Sequence, residues 1–186
     1  MIKNKPLPPL EALKEHFDYN PDTGIIIWKK KPSNRRIKIG EAVGRDNGGG
    51  YLQTRYKKGF YLCSRLAYYI YYGVDPLEKQ VDHINGNSLD NRIKNLRLAT
   101  VRQNSFNQSL SKRNTSGVTG VRWVKRDKKW VAYIRFNGKQ THLGYFANKE
   151  DAIQTRIEAE KKYFGEFRRL IRKNTDDHKR TTPTPR

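Results

Sequence analysis

Asp82 and His83 stand side by side, Asn95 follows at the far end of a polar loop, and Asn104 lies further downstream. A carboxylate, an imidazole and two amides at that spacing can be gathered around one phosphate. Phosphodiester hydrolysis is slow because the negative charge repels nucleophiles and the leaving group is poor. A catalyst therefore needs a base for water, a cation for the developing charge, and rigid positioning of both. A carboxylate with an amide oxygen suits a hard divalent ion that keeps open water positions, and one Mg²⁺ or Mn²⁺ is the expected cofactor. Asn95 can accept a hydrogen bond or fasten the loop so that the imidazole holds its tautomer. An isolated Asp-His pair carries little weight, because surface turns often contain one and Asn is a common turn and cap former. The order and spacing of the whole run from Val81 to Asn104 carry the reading.

Successive strand residues point to opposite faces, so Asp82 and His83 can act together only where the strand bends or ends at a groove edge. Asn85-Gly86-Asn87 permits such an irregularity. Val81 is expected to begin a strand, Leu96 to Ala99 to form a second, and Thr100 to open a helix that carries Asn104 behind the loop. Strand, strand and helix make a ββα unit. Upstream, the sequence predicts a helix from Leu10 to Phe17. It also predicts strands at Ile25 to Trp28, Glu41 to Arg45, Tyr51 to Tyr56 and Phe60 to Cys63, joined in one small antiparallel sheet. Ser64 reads as the N-cap and Gly73 as the C′ residue of a helix over Arg65 to Tyr72, which should pack that sheet against the ββα unit.

The run Val-Asp-His-Ile-Asn-Gly-Asn-Ser-Leu-Asp-Asn-Arg-Ile-Lys-Asn-Leu-Arg-Leu-Ala-Thr-Val-Arg-Gln-Asn resembles the HNH endonucleases of phage and homing type, which have a ββα-metal fold. The resemblance implies a metal-dependent DNA endonuclease. In it, Asp82 is a metal ligand, His83 the general base that activates water, Asn95 the support of base and loop, and Asn104 the second metal ligand. Many phage relatives read His-Arg-Leu-Ala-Trp ahead of this motif, where this chain has Ser64-Arg65-Leu66-Ala67-Tyr68. A histidine active in chemistry there would leave Ser64 a weaker substitute, whereas a histidine that only caps the helix is replaced by serine without loss.

The C-terminal block alternates in strand rhythm: Gly120 to Arg126, Trp130 to Phe136 and Gln140 to Phe146, with a tight Asn137-Gly138 turn between the last two. Asn148 can cap a helix running to Phe164, with Glu150 and Asp151 favourably placed in its first turn. Alternation puts Val121, Trp123, Trp130, Ala132, Ile134, Leu143 and Tyr145 toward a core covered by Ala152, Ala159 and Tyr163. It puts Arg122, Val124, Arg126, Tyr133, Arg135, Gln140 and His142 on an outer basic face. Such a ribbon can enter a major groove, where arginine reads guanine edges and grips phosphate. Ser-Gly-Val-Thr-Gly-Val-Arg-Trp, Lys-Trp-Val-Ala-Tyr-Ile-Arg and Leu-Gly-Tyr-Phe resemble the AP-two, or ethylene-response-factor, DNA-binding domain over about residues 115 to 166. By that resemblance Arg122 and Arg135 match DNA-contacting arginines. Tyr133, Gln140 and His142 fall on contact positions where plant members usually carry Glu, Arg and Trp. Arg126 and, from the ββα unit, Arg97 complete the expected DNA-binding set.

The fold class expected is α+β: a small N-terminal antiparallel sheet with the ββα motif, then three strands packed on one helix. The domain division expected is 1–110, a linker at 111–116, a second module at 117–167, and a basic tail at 168–186 that is disordered or ordered only on DNA. The 186 residues carry 39 Lys and Arg against 18 Asp and Glu, a net charge of +21. That excess points to a polyanionic partner, double-stranded DNA. The single cysteine, Cys63, excludes an internal disulfide and a thiolate zinc site. The opening residues lack a signal-peptide core and Leu66 to Val74 is too short to span a bilayer, so the protein is expected in the cytoplasm, that of a host cell if phage-encoded, without a membrane partner. A monomer that nicks and a homodimer that cuts both strands are both compatible with one active site per chain. The competing readings are a catalytically weak, sequence-specific DNA-binding or regulatory protein and a basic RNA-binding protein. The second explains the charge but not the ordered Asp, His, Asn, Asn set.

Overall fold

Turns at Gly and Asn cut the chain into short strands, the longest of which, β9 (Lys129–Phe136) and β10 (Lys139–Phe146), have eight residues each. The computed structural model describes residues 5–31, 37–108, 110–111 and 113–169. Among these, four antiparallel sheets form. β1 (Phe17–Tyr19) pairs with β2 (Ile26–Trp28). β3 (Arg45–Asp46), β4 (Leu52–Tyr56) and β5 (Gly59–Leu62) make a second sheet. β6 (Gln80–His83) pairs with β7 (Leu96–Ala99), and β8 (Val121–Val124), β9 and β10 form the last, in the order β10-β9-β8. The helices are α1 (Leu10–His16), α2 (Cys63–Tyr72), α3 (Val101–Phe106) and α4 (Lys149–Phe164). The architecture is mixed α and β, with several small antiparallel sheets and few helices.

Helix α2 organises the N-terminal half. Leu66 and Ala67 are fully buried in one cluster with Leu13 of α1, Phe17, Ile26 and Trp28 of the first sheet, Tyr56 and Tyr61 of the second, and Leu96 of β7. One helix thus ties two sheets to the hairpin that bears Asp82 and His83. It ends as its sequence requires, with Gly73 in the left-handed region at φ 73° and its N–H on the Tyr69 carbonyl.

Four expectations need correction here. The N-terminal strands form two sheets rather than one. Phe17 starts a strand rather than ending a helix, because its ring packs 4.7 Å from that of Trp28, directly across the ladder. The expected strand at Glu41 to Arg45 is reduced to a bridge at Ala42 and the two residues of β3, interrupted at Gly44 with φ 109°. Ser64 is not the N-cap. The helix begins at Cys63, whose thiol sits in the core 3.6 Å from the Val43 carbonyl, and Ser64 is buried one residue inside the first turn.

The C-terminal sheet packs on α4 through Val121, Ala132 and Ala152 at one end, and through Ile134, Ala159 and Phe164 at the other. Trp123 and Tyr145, expected in or beside this core, are 42% and 53% exposed. A bulge between His142 and Gly144 shifts the register, so Tyr145 lies opposite Val131 and its ring lies 4.7 Å from that of His142 on the outer face. Arg156 and Glu160, unremarked in the sequence, form a buried ion pair at 3.0 Å on the inner side of α4. The two halves share apolar contacts: Phe106 of α3 stacks on Phe164 of α4 with ring centroids 4.0 Å apart and the planes 8° from parallel. The part of the expected basic tail beyond Arg169 lies outside the described residues.

Candidate active site

The loop between β6 and β7 is built from amides and one carboxylate that satisfy its backbone. Asn95 donates through Nδ2 to the Asp90 carbonyl (2.7 Å) and accepts the Asn85 N–H through Oδ1 (2.9 Å), clamping both ends of the loop. Asp90 accepts from Asn85 Nδ2 (2.7 Å), Arg92 Nε (2.7 Å) and Arg92 Nη2 (2.5 Å). The Arg92 guanidinium holds the Asp90 carboxyl well below the usual range, at about 2. From outside, Tyr19 donates its hydroxyl to the Asn91 carbonyl (2.7 Å) and Ile93 N–H reaches the Pro21 carbonyl (3.0 Å). Gly24, at φ 75°, packs so tightly that an added Cβ would strike the backbone of Asn91 and Arg92. The N-terminal turn therefore braces the loop between β6 and β7.

Asp82 and His83 are the last two residues of β6, where the chain turns away with the Gly86 N–H on the His83 carbonyl (2.7 Å). Both are buried, at 4% and 5% exposure, so the imidazole is more enclosed than a groove-edge position implies. Their side chains take different partners, as neighbours on a strand should. His83 Nε2 lies 3.0 Å from Asn91 Oδ1. In the tautomer that donates from Nε2 to this amide oxygen, Nδ1 is the basic nitrogen. Burial pushes the ring below its ordinary pKa of 6.5, partly offset by the Asn91 bond and the carboxylates of Asp82 and Asp90.

Asp82 faces β7 and α3. Arg97, its partner across the ladder, donates from Nε to Oδ2 (2.8 Å), with Nη2 2.7 Å from the same oxygen. Arg97 also donates to the Glu166 carbonyl and lies over the Phe167 ring at 4.4 Å. Expected at the DNA surface, its guanidinium is instead held inward, because the buried carboxylate needs a counter-charge. On α3, Thr100 and Gln103 form a reciprocal cap that fixes the helix start. Asn104 does not bond to Asp82. Its Nδ2 donates to Gln80 Oε1 (2.6 Å), whereas Asn107 Nδ2 donates to Asp82 Oδ1 (3.0 Å) and to the His83 carbonyl (2.7 Å).

Among the described residues no group of three His, Cys, Asp or Glu could hold a metal. A divalent ion here must therefore take amide, backbone or water oxygens beside Asp82. The donors fit that demand: a carboxylate, the His83 carbonyl and the buried Asn107 Oδ1, which has no hydrogen-bond partner. Asp90, Asn91 and Asn107 were missed in the sequence. For Asn107 a signal existed, since it follows Asn104 by three residues and shares its helix face.

The expected DNA-binding residues of the C-terminal sheet gather on one side. Arg122, Arg135, Gln140 and His142 are exposed and Tyr133 is half-buried between strands. Arg126, in the turn after β8, bonds to Asp127 (2.7 Å). A groove of about 790 Å³ on the N-terminal sheets, lined in part by Arg45, Arg55, Lys57 and Phe60, does not include Asp82 or His83. No helix among the described residues is long and apolar enough to cross a membrane.

Residues 61–106 match the HNH endonuclease family. The chain is 37% identical over 86 residues to Protein 3.8 of Escherichia phage T7, a match that covers 45% of this chain and 71% of that protein. It is also 37% identical over 95 residues to an uncharacterized HNH endonuclease of Acanthamoeba polyphaga mimivirus, covering 51% of this chain and 48% of that one. No solved structure matches it. The family match takes in α2, both strands of the hairpin and α3, and ends before the C-terminal sheet.

Proposed function

Because the chain belongs to the HNH endonuclease family, we propose that it is a phage- or homing-type DNA endonuclease that works with one divalent ion, Mg²⁺ or Mn²⁺. The observation that carries this reading is the His83 ring, held through Nε2 by Asn91 at 3.0 Å, kept neutral by burial, and next in sequence to the Asp82 carboxylate. His83 Nδ1 takes a proton from the attacking water, and Asn95 keeps the loop rigid while it does so. Asp82 and an amide of α3 would hold the ion; the family resemblance assigns that amide to Asn104. When bound, the ion supplies positive charge for the developing phosphorane charge and the leaving 3′ oxygen. The products carry a 5′ phosphate.

The outer face of β8 to β10 is the DNA-binding surface in this reading, with Arg122, Arg126, Tyr133, Arg135, Gln140 and His142 set against a major groove of double-stranded DNA. The chain then divides into a nuclease module at 1–110 and a DNA-binding module at 117–167. Incubation of a supercoiled plasmid with the full chain and Mg²⁺, Mn²⁺ or EDTA tests the proposal. Nicked or linear DNA with either metal and intact DNA in EDTA are the expected results, and cleavage undiminished by EDTA overturns it.

One observation favours a second reading, a catalytically weak DNA-binding protein: Asp82 is already neutralised by Arg97 at 2.7 Å. DNA binding without metal-dependent cleavage would establish that reading instead.

A further inference from the structure

We propose that Tyr51 is a further substrate contact, its hydroxyl binding the DNA backbone beside the scissile phosphate, at the head of a row that continues through Gln53 and Arg55 on the outer face of β4. The proposal rests on the nuclease reading and adds a contact from outside the residues that match the family, 61–106. The turn between β3 and β4 is fastened to the loop between β6 and β7. Asp46 Oδ1 accepts the N–H groups of Gly48 (2.8 Å) and Gly50 (3.1 Å), and Asn47 Oδ1 accepts those of Gly49 (2.9 Å) and Tyr51 (3.3 Å). Ser88 Oγ, from the loop, donates to the Gly50 carbonyl. This tie brings the Tyr51 ring to 6.1 Å from the His83 ring, centroid to centroid, with the planes tilted by 54°.

The two rings differ in access. His83 is 5% exposed and Tyr51 is 39% exposed, so Tyr51 is the member of the pair that meets solvent. Its hydroxyl takes no hydrogen bond among the described residues. Tyrosine hydroxyls are ordinary donors to phosphate oxygens. The Asn47 N–H on the Tyr51 carbonyl (3.0 Å) carries the ladder one residue beyond β4, so alternation places Tyr51, Gln53 and Arg55 on one face, with Thr54 and Tyr56 buried on the other. Arg45 lies opposite Gln53 and Phe60 opposite Arg55, which adds both to the same face. Phe60 is 65% exposed, and the Arg55 guanidinium lies over its ring at 5.9 Å. A face with two arginines beside an open aromatic ring is complementary to a polyanion. DNA laid along it from Arg55 travels about 13 Å, four strand residues, to reach Tyr51 and the His83 ring beside it.

The test compares wild type, Tyr51→Phe, Tyr51→Ala and Arg55→Ala, each as the full chain. Binding of a fluorescein-labelled duplex in EDTA is read by anisotropy over a salt series, and cleavage of supercoiled plasmid with Mn²⁺ by the single-turnover rate. Tyr51→Phe should weaken duplex binding by about 3–10-fold, the worth of one hydrogen bond, with the salt slope and the unfolding temperature unchanged. It should raise the protein concentration for half-maximal cleavage by the same factor and leave the maximal rate alone, because the contact is made before and during the reaction. Arg55→Ala should lower the slope of log affinity against log salt by about one. Wild-type binding by Tyr51→Phe overturns the assignment even if Tyr51→Ala is impaired, since a ring that only packs on His83 survives in phenylalanine. An unchanged slope in Arg55→Ala overturns the continuation of the row. Either result beside cleavage by the wild type leaves the nuclease reading standing. Weakened binding by Tyr51→Phe beside a wild type that does not cleave keeps the contact and overturns the nuclease reading instead.

Discussion

Burial lowers the pKa of His83 and so favours the neutral ring that the proposed base requires. Its pKa lies below 6.5, so single-turnover cleavage should rise with pH along a limb centred below that value. A limb centred above 6.5 would contradict the placement. Stability carries the same sign. The unfolded chain takes up the proton first, so the contribution of His83 is full above pH 6.5 and is lost as pH falls toward its lower folded value. Asn91→Ala removes the oxygen that fixes Nε2 and also a bond that raises the ring's pKa. Cleavage should fall by about 10–100-fold, as for other residues that orient an active imidazole, and the acid limb should move lower still. An unchanged rate would show that Asn91 does not orient the ring. At this scale the sequence was only partly legible. Residue types and order singled out Asp82 and His83, but which amide meets which depends on the register of α3 on β6, and a sequence does not state a register between elements.

Elements explain why the loop is rigid. The turn at Gly24 leaves no room for a Cβ against the backbone of Asn91 and Arg92, so Gly24→Ala should lower both the unfolding temperature and cleavage, although position 24 is far from the motif in sequence. Equal stability and activity would mean that the turn does not brace the loop. Asp90, held at about 2 by Arg92, stabilises the fold above its unfolded value of 3.8, and that contribution is lost as pH falls toward 2. Asp90→Asn should therefore flatten part of the acid unfolding profile between those values. Strand and helix signals of Val81 to Phe106 and of the Asn137-Gly138 hairpin were legible because local chemistry dictates them: alternation, a Thr100 cap, a two-residue turn. Phe17 and Ser64 were misread because their surroundings come from elsewhere in the chain, from Trp28 across a ladder and from the core that draws in Cys63. Tyr145 changed face for a third reason, a bulge that alternation cannot foresee.

Across the whole molecule, α3 ends in Phe106, which stacks on Phe164, while Arg97 reaches the carbonyl of Glu166. Asp82 is thus linked through Arg97 to the chain just after α4. Phe106→Ala should cost about 1–3 kcal/mol, less than a fully buried phenylalanine, because the ring is partly exposed. The net charge of +21 makes DNA binding steeply salt-dependent. If the sheet face binds DNA, Arg122→Ala and Arg135→Ala should each weaken binding and lower the slope of log affinity against log salt by about one per lost phosphate contact. An unaltered slope would place the DNA elsewhere. The most direct measurement is single-turnover cleavage of duplex DNA with Mn²⁺ by wild type and by His83→Ala, both verified as folded and DNA-binding. The account predicts cleavage by the wild type and its loss in the variant; cleavage by His83→Ala at the wild-type rate would contradict it.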